Sequence, residues 1–221
     1  MKFAKKSTGS LFPVIIKSFL KRYLFMILDI TIVLIIISGI SIFQDKADIV
    51  LIVFWFIIAI YSLFLKRYSS FFHLTISTFI AFMWVYIARD NYGYNYNYTT
   101  LAGMNLLPVM AWALGMTGAL EIFSNFIIRR KMIRFLAFSL AFWVLLIIVE
   151  TYAFHIINIR DIASGNNVGL PFCNCIHAPW WMRIVYFSMA PGYYAITLIA
   201  DEYINSFLTA RNLQRTTERT S

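Results

Sequence analysis

Apolar side chains run through six stretches of this chain with no polar face between them: about Leu24–Phe43, Asp48–Leu65, Phe71–Ala88, Asn105–Ile128, Ile133–Asn158 and Trp181–Leu208. A helix rises about 1.5 Å per residue and needs roughly 20 such residues to cross ~30 Å of hydrocarbon. Barrel strands would alternate apolar and polar positions, whereas LFMILDITIVLIIISGISIF is apolar all round. The pattern predicts an all-α integral membrane protein, a six-transmembrane-helix bundle. A cleaved leader fits the first stretch poorly, because its apolar core outruns the usual ~7–15 residues.

Charge placement then orients the bundle, since loops that stay in the cytoplasm keep their Lys and Arg. Fifteen of the nineteen cations fall on the N-terminal segment, the loop at 66–67, the segment 129–134 and the tail. Only Lys46, Arg89, Arg160 and Arg183 fall on the other side. Both termini are therefore expected in the cytoplasm, and the bilayer is read as a bacterial cytoplasmic (inner) membrane. The chain reads as a single domain, 1–221. Residues 1–23 form an interfacial segment, 24–208 the six-helix bundle and 209–221 a cytoplasmic tail. Within the first segment, LFPVIIKSFLKR is a short basic amphipathic stretch suited to an anionic lipid surface.

Composition changes this picture only by exclusion. With 61% hydrophobic and 13% charged residues, the chain has about half the charge of an average soluble domain. The formal charge of +9 flanks spans instead of covering one surface, so it reads as topology and not as nucleic-acid binding.

Two loops on the outer side carry unusual chemistry. Residues 89–104, RDNYGYNYNYTTLAGM, are rich in Tyr and Asn, which suits a headgroup-level belt, a lid or a recognition surface. The long outer loop between helices 5 and 6, residues 159–180, holds both cysteines in Cys173-Asn174-Cys175-Ile176-His177. Two thiols and an imidazole at alternate positions of an extended segment can converge on zinc or copper. Outside the cytoplasm the same thiols can instead oxidise, either to a small-ring bridge or between subunits. His155 lies at the outer end of span 5 and Glu150 deeper in it. Glu150 and His155 are the candidate catalytic residues, and either could supply a fourth ligand to the Cys/His site, but five residues apart on a helix they do not share one face. Arg183 at the start of span 6 is a candidate ion-pair partner for Glu150.

Depth arithmetic brings out a second group. Asp29, His73, Glu121 and Asp201 each lie within ~3–11 Å of the cytoplasmic boundary at 1.5 Å per residue, on four different helices. They form either a shared polar layer or separate side chains that snorkel to, or pair with, Lys66, Arg67, Arg129, Arg130 and Arg134. Polar stripes at Tyr194, Thr197, Asp201 and Asn205, and at Thr117, Glu121 and Ser124, follow helical spacing. Pro108 and Pro191 are candidate kinks.

No G-x-S-x-G, H-E-x-x-H, P-loop or G-x-G-x-x-G occurs in the chain. Three function classes follow. The first is a small membrane-embedded enzyme acting on a lipid or isoprenoid-type substrate at an outward-facing site. The second is an accessory or assembly subunit whose loops 89–104 and 159–180 dock a membrane protein partner. The third is a small transporter using the inner acidic layer.

Overall fold

A computed structural model describes residues 11–128, 130–162 and 167–220, with backbone alone for 11–22, 204–205 and 207–220. Arg129 and the side chains of the basic N-terminal stretch, of Asn205 and of the tail cations lie outside the described residues.

Six long helices carry the chain: α1 (Leu11–Ile42), α2 (Ala47–Phe64), α3 (Tyr68–Ile87), α4 (Leu106–Ser124), α5 (Lys131–His155) and α6 (Trp180–Thr220). Among the described residues, five segments are long and apolar enough to cross a membrane: Tyr23–Ile42, Gln44–Phe64, Tyr68–Ile87, Leu106–Ser124 and Lys131–His155. The protein is thus a mostly helical, multi-pass membrane protein. Helix α6 is more polar along its length, carrying Arg183, Asp201 and Glu202. The boundaries depart most from the sequence expectation at three helices: the backbone of α6 stays helical to Thr220, through the segment expected as a tail. Helix α1 takes in the basic stretch as one continuous helix, and α4 stops at Ser124, where Asn125 turns its side-chain amide back to the Glu121 carbonyl at 2.9 Å.

Contacts between helix ends show that the six helices alternate in direction. At one end, Ser41 of α1 meets Tyr152 of α5 at 2.7 Å, and the Thr99 amide donates to Asp48 of α2 at 2.7 Å. At the other, the α2–α3 connection meets α1 and α4 through Arg67, and Lys131 of α5 pairs with Glu202 of α6 at 2.9 Å. These are called below the loop end and the ion-pair end.

The link from α3 to α4 is short but structured. Strands β1 (Thr100–Leu101) and β2 (Met104–Asn105) form a hairpin in register Thr100↔Asn105 and Leu101↔Met104. Its two-residue turn has φ of 50° at Ala102 and 76° at Gly103, the doubly left-handed turn that matches strand twist and favours Gly. Asn105 then caps α4 by accepting the Leu107 amide at 2.9 Å. Pro108 sits in the first turn of α4, where the amide it lacks has no intrahelical partner to lose. Pro191 lies inside α6.

The interior divides in two. Aromatic residues of α3 to α6, including Trp84, Trp112, Phe138, Phe142, Tyr186 and Tyr194, fill one cluster. Leu51, Leu74, Leu107 and Leu114 anchor the other, against α1 and α2. Large apolar side chains such as Phe64, Phe79, Ile60 and Ile199 remain exposed around the outside, the surface a bilayer would cover.

Candidate functional site

The tyrosine loop is folded inward. Tyr92, Tyr94, Tyr96 and Tyr98 lie at alternate positions, so an extended strand puts all four on one side. Tyr92 and Tyr98 are buried, and Tyr94 stacks on Tyr92 at 6.4 Å and meets Tyr98 edge-on at 5.6 Å. Burial pushes the hydroxyls of all three above the usual tyrosine range, so they stay protonated and able to donate. The Tyr92 hydroxyl is a hub: it accepts the Trp84 indole N–H at 2.8 Å and the Trp112 indole N–H at 3.4 Å, and it meets the Tyr186 hydroxyl at 2.9 Å.

This loop is laced to the chain just beyond α5. The Asn95 amide donates to the Asn158 carbonyl at 2.8 Å, Asn95 Oδ1 accepts the Arg160 backbone amide at 2.8 Å, and Tyr94 pairs with Asp161 in an isolated antiparallel bridge. The two loops that the sequence presents as separate surfaces are therefore one roof over the loop end.

Cys173 and Cys175 are joined by a disulfide. Both sulfurs are thereby removed as thiolate ligands, and among the described residues no group of three or more His, Cys, Asp or Glu is placed to hold a metal ion. The expectation of zinc or copper on Cys173, Cys175 and His177 is corrected accordingly: the two cysteines close a small ring, and His177 turns its Nε2 to Asn174 Oδ1 at 3.1 Å and stacks on Phe154 at 4.2 Å. Burial, with the neighbouring His155, Arg183 and Arg160 charges, holds the His177 imidazole below its usual range.

His155 is part of the same ring's support. Its Nε2 lies 3.1 Å from both the Cys173 and Asn174 carbonyls, so it clamps the loop onto the end of α5. Gly169 is needed beneath the ring, because a Cβ there would sit 2.8 Å from the Asn174 backbone and 2.9 Å from His177 Nε2. Gly169→Ala is expected to cost about 1–3 kcal/mol through overpacking. The check is a lower thermal midpoint in detergent and faster hydrogen exchange across 167–178, whereas Gly192→Ala, inside α6 where a Cβ meets nothing, is expected to hold or raise the midpoint.

Under the roof lies a cavity of about 360 Å³. Ile37 and Ile40 of α1, Leu107 and Ala111 of α4, and Leu145 and Val149 of α5 give it an apolar wall. Glu150 lines it too, together with Tyr92, Tyr94, Asp161, His177 and Tyr186. The expected Glu150–Arg183 ion pair does not form. The Arg183 guanidinium is committed to the Ala178 and Val168 carbonyls, and Glu150 has no hydrogen-bond or ion-pair partner among the described residues.

At the ion-pair end the four inner residues are brought together, and Arg67, one of the five cations the sequence offers as partners, is their centre. Arg67 bonds Glu121 at 2.6 Å and Asp29 at 3.5 Å. His73 sits between Glu121 at 3.5 Å and Asp201 at 3.2 Å, and Ser69 donates to Asp201 at 2.8 Å. Burial opposes the Arg67 charge, but Glu121 and Asp29 outweigh it and hold the guanidinium above its usual range. The space here is only about 50 Å³, and three carboxylates, one guanidinium and one imidazole largely satisfy one another. Deeper in the bundle, Ser77 and Thr117 share a hydrogen bond at 2.7 Å, and Tyr193 donates to the His73 carbonyl at 3.2 Å.

Fold and site together define a class: a multi-pass helical membrane protein with one roofed apolar cavity and a separate buried ion-pair cluster. No protein-family model, curated protein or solved structure matches this chain.

Proposed function

We propose that the chain crosses a bacterial cytoplasmic membrane six times, with both termini inside, and receives the apolar part of a lipid or isoprenoid-type molecule in the roofed cavity. Glu150 is the acid/base group that this substrate meets. One observation carries the reading: an apolar cavity within the ~300–1,000 Å³ range of small-molecule sites has on its wall a carboxylate with no partner among the described residues. A carboxylate kept at such a position without a counter-charge is costly unless a ligand uses it.

Gly115 gives a clean test, because it lines the cavity and an added Cβ meets nothing within 4 Å. Gly115→Phe is expected to lower the lipid that co-purifies with the protein about tenfold, a loss of ~1.4 kcal/mol in binding, as read by mass spectrometry of extracts. Gly115→Ala is expected to raise stability by about 0.5–1 kcal/mol, because it removes helix-interior flexibility. Unchanged lipid content in Gly115→Phe sinks the cavity assignment. The six-span arrangement is tested separately by a C-terminal fluorescent-protein fusion, which must fluoresce if the tail is cytoplasmic.

A further inference from the structure

Hydrogen-bond bookkeeping at the roof gives the cavity a direction. Indole N–H groups only donate, and the Tyr92 oxygen accepts from both Trp84 and Trp112. With its acceptor sites taken, Tyr92 has only its own hydrogen to offer Tyr186 across their 2.9 Å contact. Tyr186 is therefore the acceptor in that pair, and its own hydrogen has no acceptor among the described residues. Tyr186 lines the cavity. The chain of hydroxyls ends in a donor, polarised by the bonds behind it.

The rest of the wall says what that donor can receive. None of the described residues lining the cavity is Lys or Arg. Arg183 is spent on two backbone carbonyls, and Arg160 lies over the Phe154 ring at 4.9 Å. His177, whose imidazole is held below its usual range, turns its Nε2 to Asn174 and leaves Nδ1 without a partner among the described residues. Two carboxylates, Glu150 and Asp161, stand on the same wall. A phosphate or carboxylate headgroup would enter with no lysine or arginine on the described wall to neutralise it and the Glu150 carboxylate facing it, and burying such a charge unpaired is costly. A neutral oxygen head meets a donor in Tyr186 and an acceptor in Glu150.

We propose that the cavity selects lipids with a neutral oxygen head, a hydroxyl or carbonyl on an isoprenoid or alkyl chain, and excludes their phosphorylated counterparts, with Tyr186 donating to the head oxygen. The proposal rests on reading the cavity as a lipid site. It narrows the substrate to the alcohol or carbonyl class.

The test uses the full chain in detergent and three probes that share one hydrocarbon skeleton: farnesol, farnesyl phosphate and the headless hydrocarbon farnesene. Binding is followed by quenching of tryptophan fluorescence, which Trp112 on the cavity wall makes local. Farnesol is expected to bind at least about tenfold more tightly than farnesyl phosphate. Tyr186→Phe is expected to weaken farnesol about fivefold, the worth of one neutral hydrogen bond, and to leave farnesene unchanged. Because Tyr186→Phe also leaves the Tyr92 hydrogen without an acceptor and can loosen the roof, Glu150→Gln serves as a second variant. Removing that charge is expected to raise farnesyl phosphate affinity several-fold. Equal or tighter binding of the phosphate, or farnesene binding as well as farnesol, overturns head selection while the cavity reading stands. If none of the three probes binds, the cavity reading itself fails.

Discussion

Replacing Arg67 with Ala is expected to destabilise the protein by about 3–5 kcal/mol, the cost of leaving buried charges without their partner. Arg67 lies in the tight α2–α3 connection, and its guanidinium bridges Asp29 of α1 and Glu121 of α4. All three side chains are mostly buried, with exposures of 21%, 11% and 15%. Without the cation, Asp29 and Glu121 face each other in a space of about 50 Å³, and three helices lose their common tether. Lys131–Glu202 is the matched comparison, an ion pair of similar length at 2.9 Å whose side chains are 83% and 72% exposed. Lys131→Ala should change stability by less than about 1 kcal/mol, because water already screens that pair. Reversible unfolding in mixed micelles measures both. If the two substitutions cost the same, burial is not what gives the Arg67 cluster its strength.

The second large effect is expected at Tyr92. Tyr92→Phe keeps the ring and its packing but removes the oxygen to which Trp84 and Trp112 donate and the hydrogen that Tyr186 receives. Each buried polar group left unsatisfied costs about 1–3 kcal/mol, so a loss of about 3 kcal/mol or more is expected. Tyr96→Phe removes a more accessible hydroxyl that, among the described residues, reaches only Gln44 at 3.2 Å, and it should fall within about 1 kcal/mol of the parent. Near-ultraviolet circular dichroism reports the same event locally, through the altered environment of the two tryptophans. A native tryptophan signal with unchanged stability in Tyr92→Phe would remove the hub from the account.

The helices were legible in the sequence because lipid imposes a crude requirement: about twenty apolar residues in a row. The inner cluster was legible for a related reason. Distance along a helix converts directly into depth, so Asp29, His73, Glu121 and Asp201 could be placed in one layer before any packing was known. Arg67 was one of five cations open to these acids as partners, and its place between helices, where depth counting does not reach, is why the sequence did not single it out as the centre.

The loop end was harder to read. Composition made the Tyr/Asn loop look like a headgroup belt, yet the alternation of Tyr92, Tyr94, Tyr96 and Tyr98 was the signal of a strand-like segment with one ring-bearing side. What sequence could not supply was the surface that this side covers, since Tyr186 and Asn158 lie far along the chain. Glu150 stood out as a buried acid, but the pairing with Arg183 assumed that the nearest opposite charge wins. Backbone carbonyls at Ala178 and Val168 were nearer. The disulfide was one of several fates open to a Cys-x-Cys segment, and spacing alone does not choose among them.

The lacing of the roof also bears on the order in which the molecule can be assembled. Asn95 waits for partners 63 and 65 residues further along the chain, and Tyr92 for one 94 residues away. During synthesis from the N-terminus, the first three helices and the tyrosine loop are made before any of those partners exists. The loop end therefore closes only after α5 and α6 have arrived. Until then Tyr92 lacks Tyr186 and Asn95 lacks both of its partners, and the cavity has no ceiling. Truncation after α4 should leave this loop open to protease, whereas the full chain protects it.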